Sequence, residues 1–315
     1  AVVELWQWPT AAAAADADAP EGAAAAVSRL HFECGVGDLA WLSGASLAVA
    51  QDDGNVEVFA YDPKAAGAAD ASDPMSDACL TGTVSLGEHD DLVNALAVAP
   101  VSTSVLASGS SDGTIKVWDL SAAIANRSVN TYAGHIAEVN GVAFGASADS
   151  MVSASSDMTL RMWDRRLPEE KACVGVAHVP YSARCVAWAQ DGISAGGSSD
   201  SDLVLAGLED GTIVTLDTRA FGTPLSSELK HQASVQRIVS ATCNGHAVTA
   251  SASEDCTVQV NTPGAETVVH THKDYVYGLA LCSMRSQGKG GGDSTAVGLV
   301  TGGWDGAVNL LDLEL

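Results

Sequence analysis

The sequence predicts an all-β fold, a β-propeller with seven blade positions, and three observations support this. Turn aspartates recur every 45 to 59 residues, near or above the period of about 40–45 residues found in propeller blades. Between them, apolar and polar residues alternate as half-buried strands require. Finally, 47% of the 315 residues are apolar and 17% are charged, a composition that favours a folded core over disorder.

Two segments, 87–120 and 134–166, show the repeat most clearly. Each begins with Gly and His, runs through an alternating strand and a Ser-rich strand to a turn with Asp, and ends a third strand in Trp-Asp. This is the WD-repeat pattern of a four-stranded blade. Weaker copies in the same phase predict one domain over 1–315, with visible repeats at about 35–62, 87–120, 134–166, 178–219, 231–262 and 270–315.

The first blade is expected to be incomplete at the N-terminus. Residues 2–6 alternate like 114–118, the third strand of a blade. We therefore expect the first two strands of this blade, and the strand that closes the ring, to precede Ala1. Because the last repeat ends on its third strand at 311–313, its outer edge is expected to lack a partner.

Within a repeat, a loop His, a strand Ser or Thr, a turn Asp and a strand Trp are expected to form one hydrogen-bonded chain. The two complete sets are His89, Ser108, Asp112 and Trp118, and His135, Ser153, Asp157 and Trp163. Incomplete sets contain His178, His231 and His272. We interpret all these histidines as partners of buried polar groups rather than as catalysts.

Four insertions rich in Gly, Ala, Ser and Asp, at 10–28, 63–77, 191–202 and 285–295, are predicted to be flexible loops on one face. The opposite face, with the His loops and Asp turns, has no long insertion and is the expected binding surface. Trp304 is either an exposed hot spot there or packed against the neighbouring blade. The candidate partner-binding residues are Asp90, Asp91, Glu138, Asn140, Arg184, Tyr275, Tyr277 and Trp304.

No sequence motif predicts catalysis, a cofactor site or a metal site. Two G-x-S-x-G matches, 109–113 and 192–196, fall on a strand turn and a loop, whereas a nucleophile elbow joins a strand to a helix. His270 and His272 lack a third metal ligand at suitable spacing. We therefore predict a binding scaffold that is not an enzyme and needs no cofactor.

Charge and cysteine usage narrow the partners and the compartment. Acidic residues outnumber basic ones 39 to 15, for a net charge of −24, which favours basic proteins and disfavours nucleic acid and anionic lipid. No apolar run is long enough to predict a membrane-spanning helix. The seven cysteines are dispersed, which favours reduced thiols in the cytoplasm or nucleus.

The order of the repeats is more specific than the repeat itself. The run that includes GEHDDLVNALAV, SGSSDGTIKVWDL, SASEDCTVQV and TGGWDGAVNLL resembles the methylosome protein 50 family, the WD-repeat partners of protein arginine methyltransferase 5. The resemblance covers about residues 35–315 and includes the degenerate repeats. It weakens in 10–28 and 191–202.

The resemblance implies a non-catalytic adaptor within a hetero-oligomer. Such an adaptor docks on the N-terminal barrel of a type II arginine methyltransferase and helps to present Arg- and Gly-rich substrates such as histones and spliceosomal Sm proteins, in the cytoplasm and nucleus. The anchoring aromatic of the family's first blade would fall at or before Ala1, so no residue here is assigned that role.

A second interpretation belongs to another class of protein. Residues Trp163-Asp164-Arg165-Arg166 fit the W-D-x-R box with which some propellers dock on a cullin-type ubiquitin ligase adaptor. The chain would then be a substrate receptor of such a ligase. Because the box is short and frequent among WD proteins, the methyltransferase adaptor ranks first.

Overall fold

The computed structural model describes residues 2–7, 25–43, 46–62, 80–122, 126–189, 203–243, 246–262, 267–287 and 293–313. These ranges form β-strands and two short 3-10 turns, Glu169–Lys171 and Thr218–Ala220, without an α-helix. The predicted all-β class is confirmed. Within these ranges, no helix has the length and hydropathy needed to cross a membrane.

The strands of the described ranges lie in seven antiparallel sheets, which we name A to G. Sheet A contains β1 (Val2–Gln7) and β2 (Ala25–His31), and sheet B contains β3 (Val36–Ser43), β4 (Ser46–Gln51), β5 (Val56–Tyr61) and β6 (Leu80–Leu86). Sheet C contains β7 (Val93–Ala99), β8 (Ser102–Ser110), β9 (Thr114–Asp119) and β10 (Ser128–Ala133). Sheet D contains β11 (Val139–Phe144), β12 (Ser150–Ser155), β13 (Thr159–Asp164) and β14 (Cys173–His178).

Sheet E contains β15 (Ala183–Trp188), β16 (Leu203–Leu208), β17 (Thr212–Asp217) and β18 (Pro224–Leu229). Sheet F contains β19 (Val235–Cys243), β20 (His246–Ser253), β21 (Thr257–Asn261) and β22 (Val268–Thr271), and sheet G contains β23 (Val276–Gln287), β24 (Asp293–Gly303) and β25 (Val308–Leu313).

Sheets B to G are six propeller blades. Their strands pair in chain order, and the first strand of each sheet packs against the first strand of the next, from β3 through to β23. Sheet A has two strands, and β25 pairs only with β24 in the part of the chain that the structure describes. The count of seven blade positions, with sheet A as the incomplete one, stays a prediction.

Apolar side chains fill the spaces between neighbouring sheets. Trp118 is fully buried between sheets B and C, and Trp163 lies with Tyr132 and Met151 between sheets C and D. An ion pair joins two sheets that are not neighbours, because Arg237 Nη1 of β19 lies 3.0 Å from Asp38 Oδ1 of β3. The other Asp38 oxygen accepts a hydrogen bond from Leu96 N of sheet C, 2.9 Å away.

Two predicted loops are partly strand, so those predictions were wrong at their ends. Residues 25–28 belong to β2, and 285–287 pair with 293–295 in one long hairpin of β23 and β24. The glycines of this second segment are confined to 288–292, and the polar residues on either side can extend the strand ladder. Residues 10–24, 63–77, 191–202 and 288–292 lie outside the described residues.

Consecutive antiparallel pairing gives the blades two distinct faces. Connections between the second and third strands, and from one sheet to the next, lie on the face that we call the turn face. It carries the Asp turns and the His loops, and all of its connections from Phe32 to Ala307 are described. The remaining connections, where the predicted insertions fall, lie on the opposite face.

Candidate protein-binding surface

In sheet C, a chain of hydrogen bonds ties the His loop of the turn face to the blade. His89 Nδ1 lies 2.8 Å from Asp112 Oδ2, and His89 Nε2 lies 2.8 Å from Ser108 Oγ. Trp118 Nε1 donates to the same Ser108 Oγ over 2.9 Å. Thr114 also donates its hydroxyl to Asp112, 2.6 Å away. The four residues expected to act together therefore form one continuous network.

Sheet D repeats this network almost atom for atom. His135 Nδ1 lies 2.8 Å from Asp157 Oδ2, His135 Nε2 lies 2.7 Å from Ser153 Oγ, and Trp163 Nε1 donates to Ser153 Oγ over 2.9 Å. A carboxylate only accepts hydrogen bonds, so the ring proton lies on Nδ1 and Nε2 accepts from the Ser hydroxyl. The Ser oxygen then accepts from the Trp.

Burial keeps these groups in fixed charge states. Desolvation lowers the pKa of His89 and of His135, so both rings stay neutral. Burial alone would raise the pKa of Asp157, yet hydrogen bonds from Thr159 and His135 outweigh it and lower that pKa to about 2. Every ring nitrogen already has a partner, so the arrangement is structural and offers no free base.

Sheets F and G keep the histidine but lose the tryptophan. His231 lies 3.0 Å from Asp255 and 2.8 Å from Ser251, and His272 lies 3.2 Å from Asp305 and 2.8 Å from Thr301. The Trp position holds Asn261 in sheet F and Leu311 in sheet G.

Sheet E departs from the expected pattern, and the prediction for His178 was wrong. His178 ends β14 and is exposed, whereas Val179 occupies the buried position that His holds in sheets C, D, F and G. A valine there needs no hydrogen-bond partner. Sheet E therefore does not need the hydrogen-bonded chain of His, Ser and Asp. Among the described residues, the Asp210 carboxylate bonds within its own turn, to Thr212 N at 3.0 Å and Thr212 Oγ1 at 2.8 Å.

Three predicted aromatic residues come together on the turn face and define what we call the aromatic cluster: Tyr275, Tyr277 and Trp304. The Trp304 ring stacks on Tyr277 with centroids 5.2 Å apart, and the Tyr275 ring lies 5.8 Å from it. Trp304 N donates to Tyr275 O over 2.9 Å, which fixes the two loops together. Trp304 is 67% exposed, so of its two interpretations the exposed one is observed.

A carboxylate lies at the edge of this cluster. Tyr277 donates its hydroxyl to Glu254 Oε1, 2.8 Å away, and Gln236 Nε2 donates to the same oxygen over 2.8 Å. Burial, together with the Glu254 charge, raises the pKa of Tyr277 to about 12. Sequence reasoning missed Glu254, although Glu254, like Trp304, directly precedes a turn Asp.

The cluster is one version of a pair that recurs on the turn face. In sheets C to G, the second residue of the first strand meets the residue that precedes the turn Asp. The pair is Asn94 with Ser111 and Asn140 with Ser156 in sheets C and D, Arg184 with Glu209 in sheet E, Gln236 with Glu254 in sheet F, and Tyr277 with Trp304 in sheet G. The pair is polar in four sheets and aromatic in sheet G.

The other predicted binding residues divide into two groups. Asp90, Asp91 and Glu138 are exposed on the His loops of sheets C and D, and we call them the acidic patch. Arg184 lies 3.2 Å from Glu209 in a partly exposed ion pair. Asn140 donates from its amide to Ser156 Oγ and to Ala183 O, both at 2.9 Å, so that amide bridges sheets D and E.

The W-D-x-R segment lies on the opposite face. Trp163 is buried, and Arg166 forms two hydrogen bonds with Asp164, at 2.9 and 2.6 Å. Arg219 binds Asp217 in the same way in sheet E, where Leu216 holds the Trp position. The Asp–Arg pair is thus a local feature of the turn after a third strand.

Comparisons with known proteins agree with this geometry. The pattern of the family described as "WD domain, G-beta repeat" matches residues 80–119 and 126–164, which cover the last strand of sheet B, all of sheet C and the first three strands of sheet D. The fold is a WD-repeat β-propeller. Within the described residues no group of three potential metal ligands occurs.

One relative is similar along most of the chain. Methylosome protein WDR77 of Xenopus laevis is 29% identical over 269 residues, which are 83% of this chain and 72% of the relative. The resemblance inferred from the sequence is confirmed. It extends well beyond the two matched repeats, and it supports a non-catalytic scaffold.

Two further relatives match short segments of the chain. Nuclear distribution protein PAC1 of Tuber melanosporum is 41% identical over 25% of this chain, and DDB1- and CUL4-associated factor 13 of Dictyostelium discoideum is 35% identical over 27% of it. These matches span 17% and 18% of the two relatives, as expected for a shared repeat.

Proposed function

We propose that the chain is a non-catalytic adaptor of an arginine methyltransferase complex, and that it binds the enzyme and presents basic Arg- and Gly-rich substrates such as histones and Sm proteins. The observation that carries this proposal is the 29% identity to Methylosome protein WDR77 over 83% of the chain. The proposal includes a type II enzyme, a hetero-oligomer, and a location in the cytoplasm and nucleus.

The aromatic cluster suits the contact with the enzyme. Interface hot spots are enriched in Trp and Tyr, and Trp304 presents a large apolar surface on the face that lacks the insertions. Its stacking on Tyr277 and its backbone bond to Tyr275 hold the ring in place, so little side-chain freedom remains to be lost on binding.

The acidic patch suits the contact with the substrate. Asp90, Asp91 and Glu138 are exposed, and the whole chain carries a net charge of −24. Such a field raises the local concentration of a polybasic tail near the enzyme. Because substrate and transition state carry the same tail, the gain is expected mainly as a lower KM.

The test is methylation of a histone tail by the partner enzyme, with and without this protein, over a range of salt. The expected result is no methylation by the protein alone and a lower KM when it is added. This effect should shrink at a few hundred millimolar salt, where the screening length falls well below ~8 Å. An unchanged rate together with no co-purifying methyltransferase would overturn the proposal.

Charge reversal separates the two contacts. Changing Asp90, Asp91 and Glu138 to Lys should raise KM while enzyme binding persists. The matched control reverses three acidic residues of the opposite face: Asp149, Glu169 and Glu170. The control has the same net charge, so an equal rise in KM would show that total charge matters and the patch does not.

A ubiquitin ligase substrate receptor is the second candidate, favoured by the partial similarity to DDB1- and CUL4-associated factor 13 and by the box at 163–166. In the structure Arg166 is held by Asp164 at 2.6 Å. Affinity purification of the intact protein separates the candidates, since our proposal expects a methyltransferase. Recovery of a ligase adaptor that is lost in Arg166→Ala would favour the alternative.

A further inference from the structure

A cavity of about 180 Å³ lies between sheets E and F. Sheet E contributes Ile213, Thr215 and Glu228 to its wall, and sheet F contributes Ile238, Ser251 and Asn261. An apolar cavity of roughly 150 Å³ is large enough to bind benzene. The space is therefore sufficient for a flat ring.

The interface between sheets C and D is a filled version of this cavity. Trp163 occupies the strand position that Asn261 holds in sheet F, and Tyr132, three residues before the loop His of sheet D, corresponds to Glu228. Trp163 and Tyr132 are buried, with ring centroids 5.5 Å apart. Their counterparts at the cavity are short or charged, so both ring positions are left without an aromatic side chain.

The polar replacements at the wall have partners of their own and leave the space open. Asn261 Oδ1 accepts a hydrogen bond from Thr267 Oγ1, 2.8 Å away. Glu228 is largely exposed and pairs with Lys230 at 2.6 Å. These two charged residues line the rim of the cavity, through which a ligand could enter.

Ser251 gives the cavity a specific polar requirement. Its hydroxyl lies 2.8 Å from His231 Nε2, as Ser153 lies beside His135. Ser153 Oγ also accepts the Trp163 N–H, whereas no described side chain donates to Ser251 Oγ. A hydroxyl that donates to His231 can still accept a hydrogen bond, so the preferred ligand supplies an N–H at this point.

We propose that the cavity between sheets E and F binds an indole-type ring, whose N–H donates to Ser251 Oγ as Trp163 Nε1 donates to Ser153 Oγ. The ring belongs either to a small molecule or to a tryptophan side chain of a partner protein. This site is independent of the methyltransferase proposal, because it lies between blades and uses neither the aromatic cluster nor the acidic patch.

Binding is measured on the isolated protein with indole, by calorimetry and ligand-observed NMR. We expect saturable binding, and about tenfold weaker binding of 1-methylindole, which has the ring but no N–H donor. Absence of saturable indole binding, or equal affinity for the two compounds, would overturn the proposal.

Two substitutions of Asn261 test whether indole binds in this cavity. Asn261→Trp should fill the space, abolish indole binding and raise the melting temperature. Should that variant fail to fold, Asn261→Leu fills part of the space, as Leu216 does at this position in sheet E, and should weaken indole binding at least tenfold. Val129→Trp adds an indole at an exposed position of β10 and should leave binding unchanged. Indole binding that survives in a folded Asn261→Trp or Asn261→Leu variant contradicts the proposed site.

A further arm identifies the source of the ring. N-acetyl-tryptophanamide and a short Trp-containing peptide are compared with free indole. Binding of all three, each lost in Asn261→Trp, indicates a partner's tryptophan. Binding of free indole alone indicates a small molecule, since the rim then excludes a peptide backbone.

Discussion

The same repeat positions serve one purpose in sheets C and D and another in sheets F and G. In C and D, the Trp position is occupied by a buried indole that completes the hydrogen-bonded chain. In F and G that position holds Asn261 and Leu311, and the pair on the turn face becomes Gln236 with Glu254 and then Tyr277 with Trp304. Aromatic surface that is buried in C and D is presented to solvent in G.

The comparison shows which positions of a repeat can change without loss of the fold. The His, Ser or Thr and Asp members persist in F and G and still tie loop to turn. The Trp member is dispensable when apolar residues elsewhere support the blade. Degenerate repeats can therefore carry an exposed aromatic surface or a cavity, while the regular repeats stabilise the propeller.

The largest effect is expected from truncating the same position in the two kinds of repeat. Trp163 is 1% exposed, so Trp163→Ala leaves a large void and an unsatisfied Ser153, and should cost about 3–5 kcal/mol of unfolding free energy. Asn261→Ala shortens a small polar side chain at the wall of a cavity that is already open and should cost within about 0.5 kcal/mol. Urea unfolding of both variants measures this difference, and equal costs would remove the distinction between the repeats.

Truncation of Trp304 should affect binding rather than folding. If it anchors the partner enzyme, Trp304→Ala should lose about 2 kcal/mol or more of binding free energy with little change in the melting temperature. Trp41, which is 48% exposed on the opposite face, is the matched control. Equal losses in Trp304→Ala and Trp41→Ala, measured by calorimetry with the enzyme, would contradict a specific role for the turn face.

Removing the turn Asp should have a smaller effect that depends on the histidine. In Asp112→Ala and Asp157→Ala the Nδ1–H of a buried His loses its carboxylate acceptor, at a cost of about 1–3 kcal/mol. Asp210 has no such His, since Val179 stands in its place, so Asp210→Ala should cost less. Thermal melts that match the parent in all three variants would show that the chain is not structural.

Much of the fold could be predicted because the repeat is local. Alternation within strands, the turn aspartates and the Trp-Asp ends mark each blade without reference to distant residues. The prediction for His178 was wrong because no distinctive residue shows where the loop before the first strand of sheet E begins. The buried loop position was therefore assigned one residue too early. The long hairpin of β23 and β24 was missed because glycine content hid the pairing of 285–287 with 293–295.

The binding features were less predictable because they depend on pairs from different strands. Exposure of Trp304 depends on where Tyr277 lies, and the role of Glu254 requires that sheets F and G be neighbours. The cavity depends on Glu228 and Asn261 together, although each alone looks like an ordinary surface residue. Sequence identifies such residues singly, and packing decides what they form.

The smallest effect is expected from a change of pH. It tests whether the histidine chains of regular and degenerate repeats respond alike. Burial lowers the pKa of His89, His135 and His231. In the unfolded chain these rings bind protons near pH 6.5, whereas the folded chain resists protonation. The unfolded state therefore binds more protons as pH falls, and stability is lost below about pH 6.5.

The turn carboxylates do not offset this loss between pH 7 and 5. The pKa of Asp157 is about 2, so that group stays ionised in the folded state over the whole window. We expect the melting temperature to fall from pH 7 to pH 5, and to fall less in a folded His231→Gln variant, in which one of the three rings is absent. Because sheet F shares this chain with C and D, His89→Gln should reduce the pH dependence by a similar amount. A melting temperature that is constant over this range would show that the rings are protonated equally in both states.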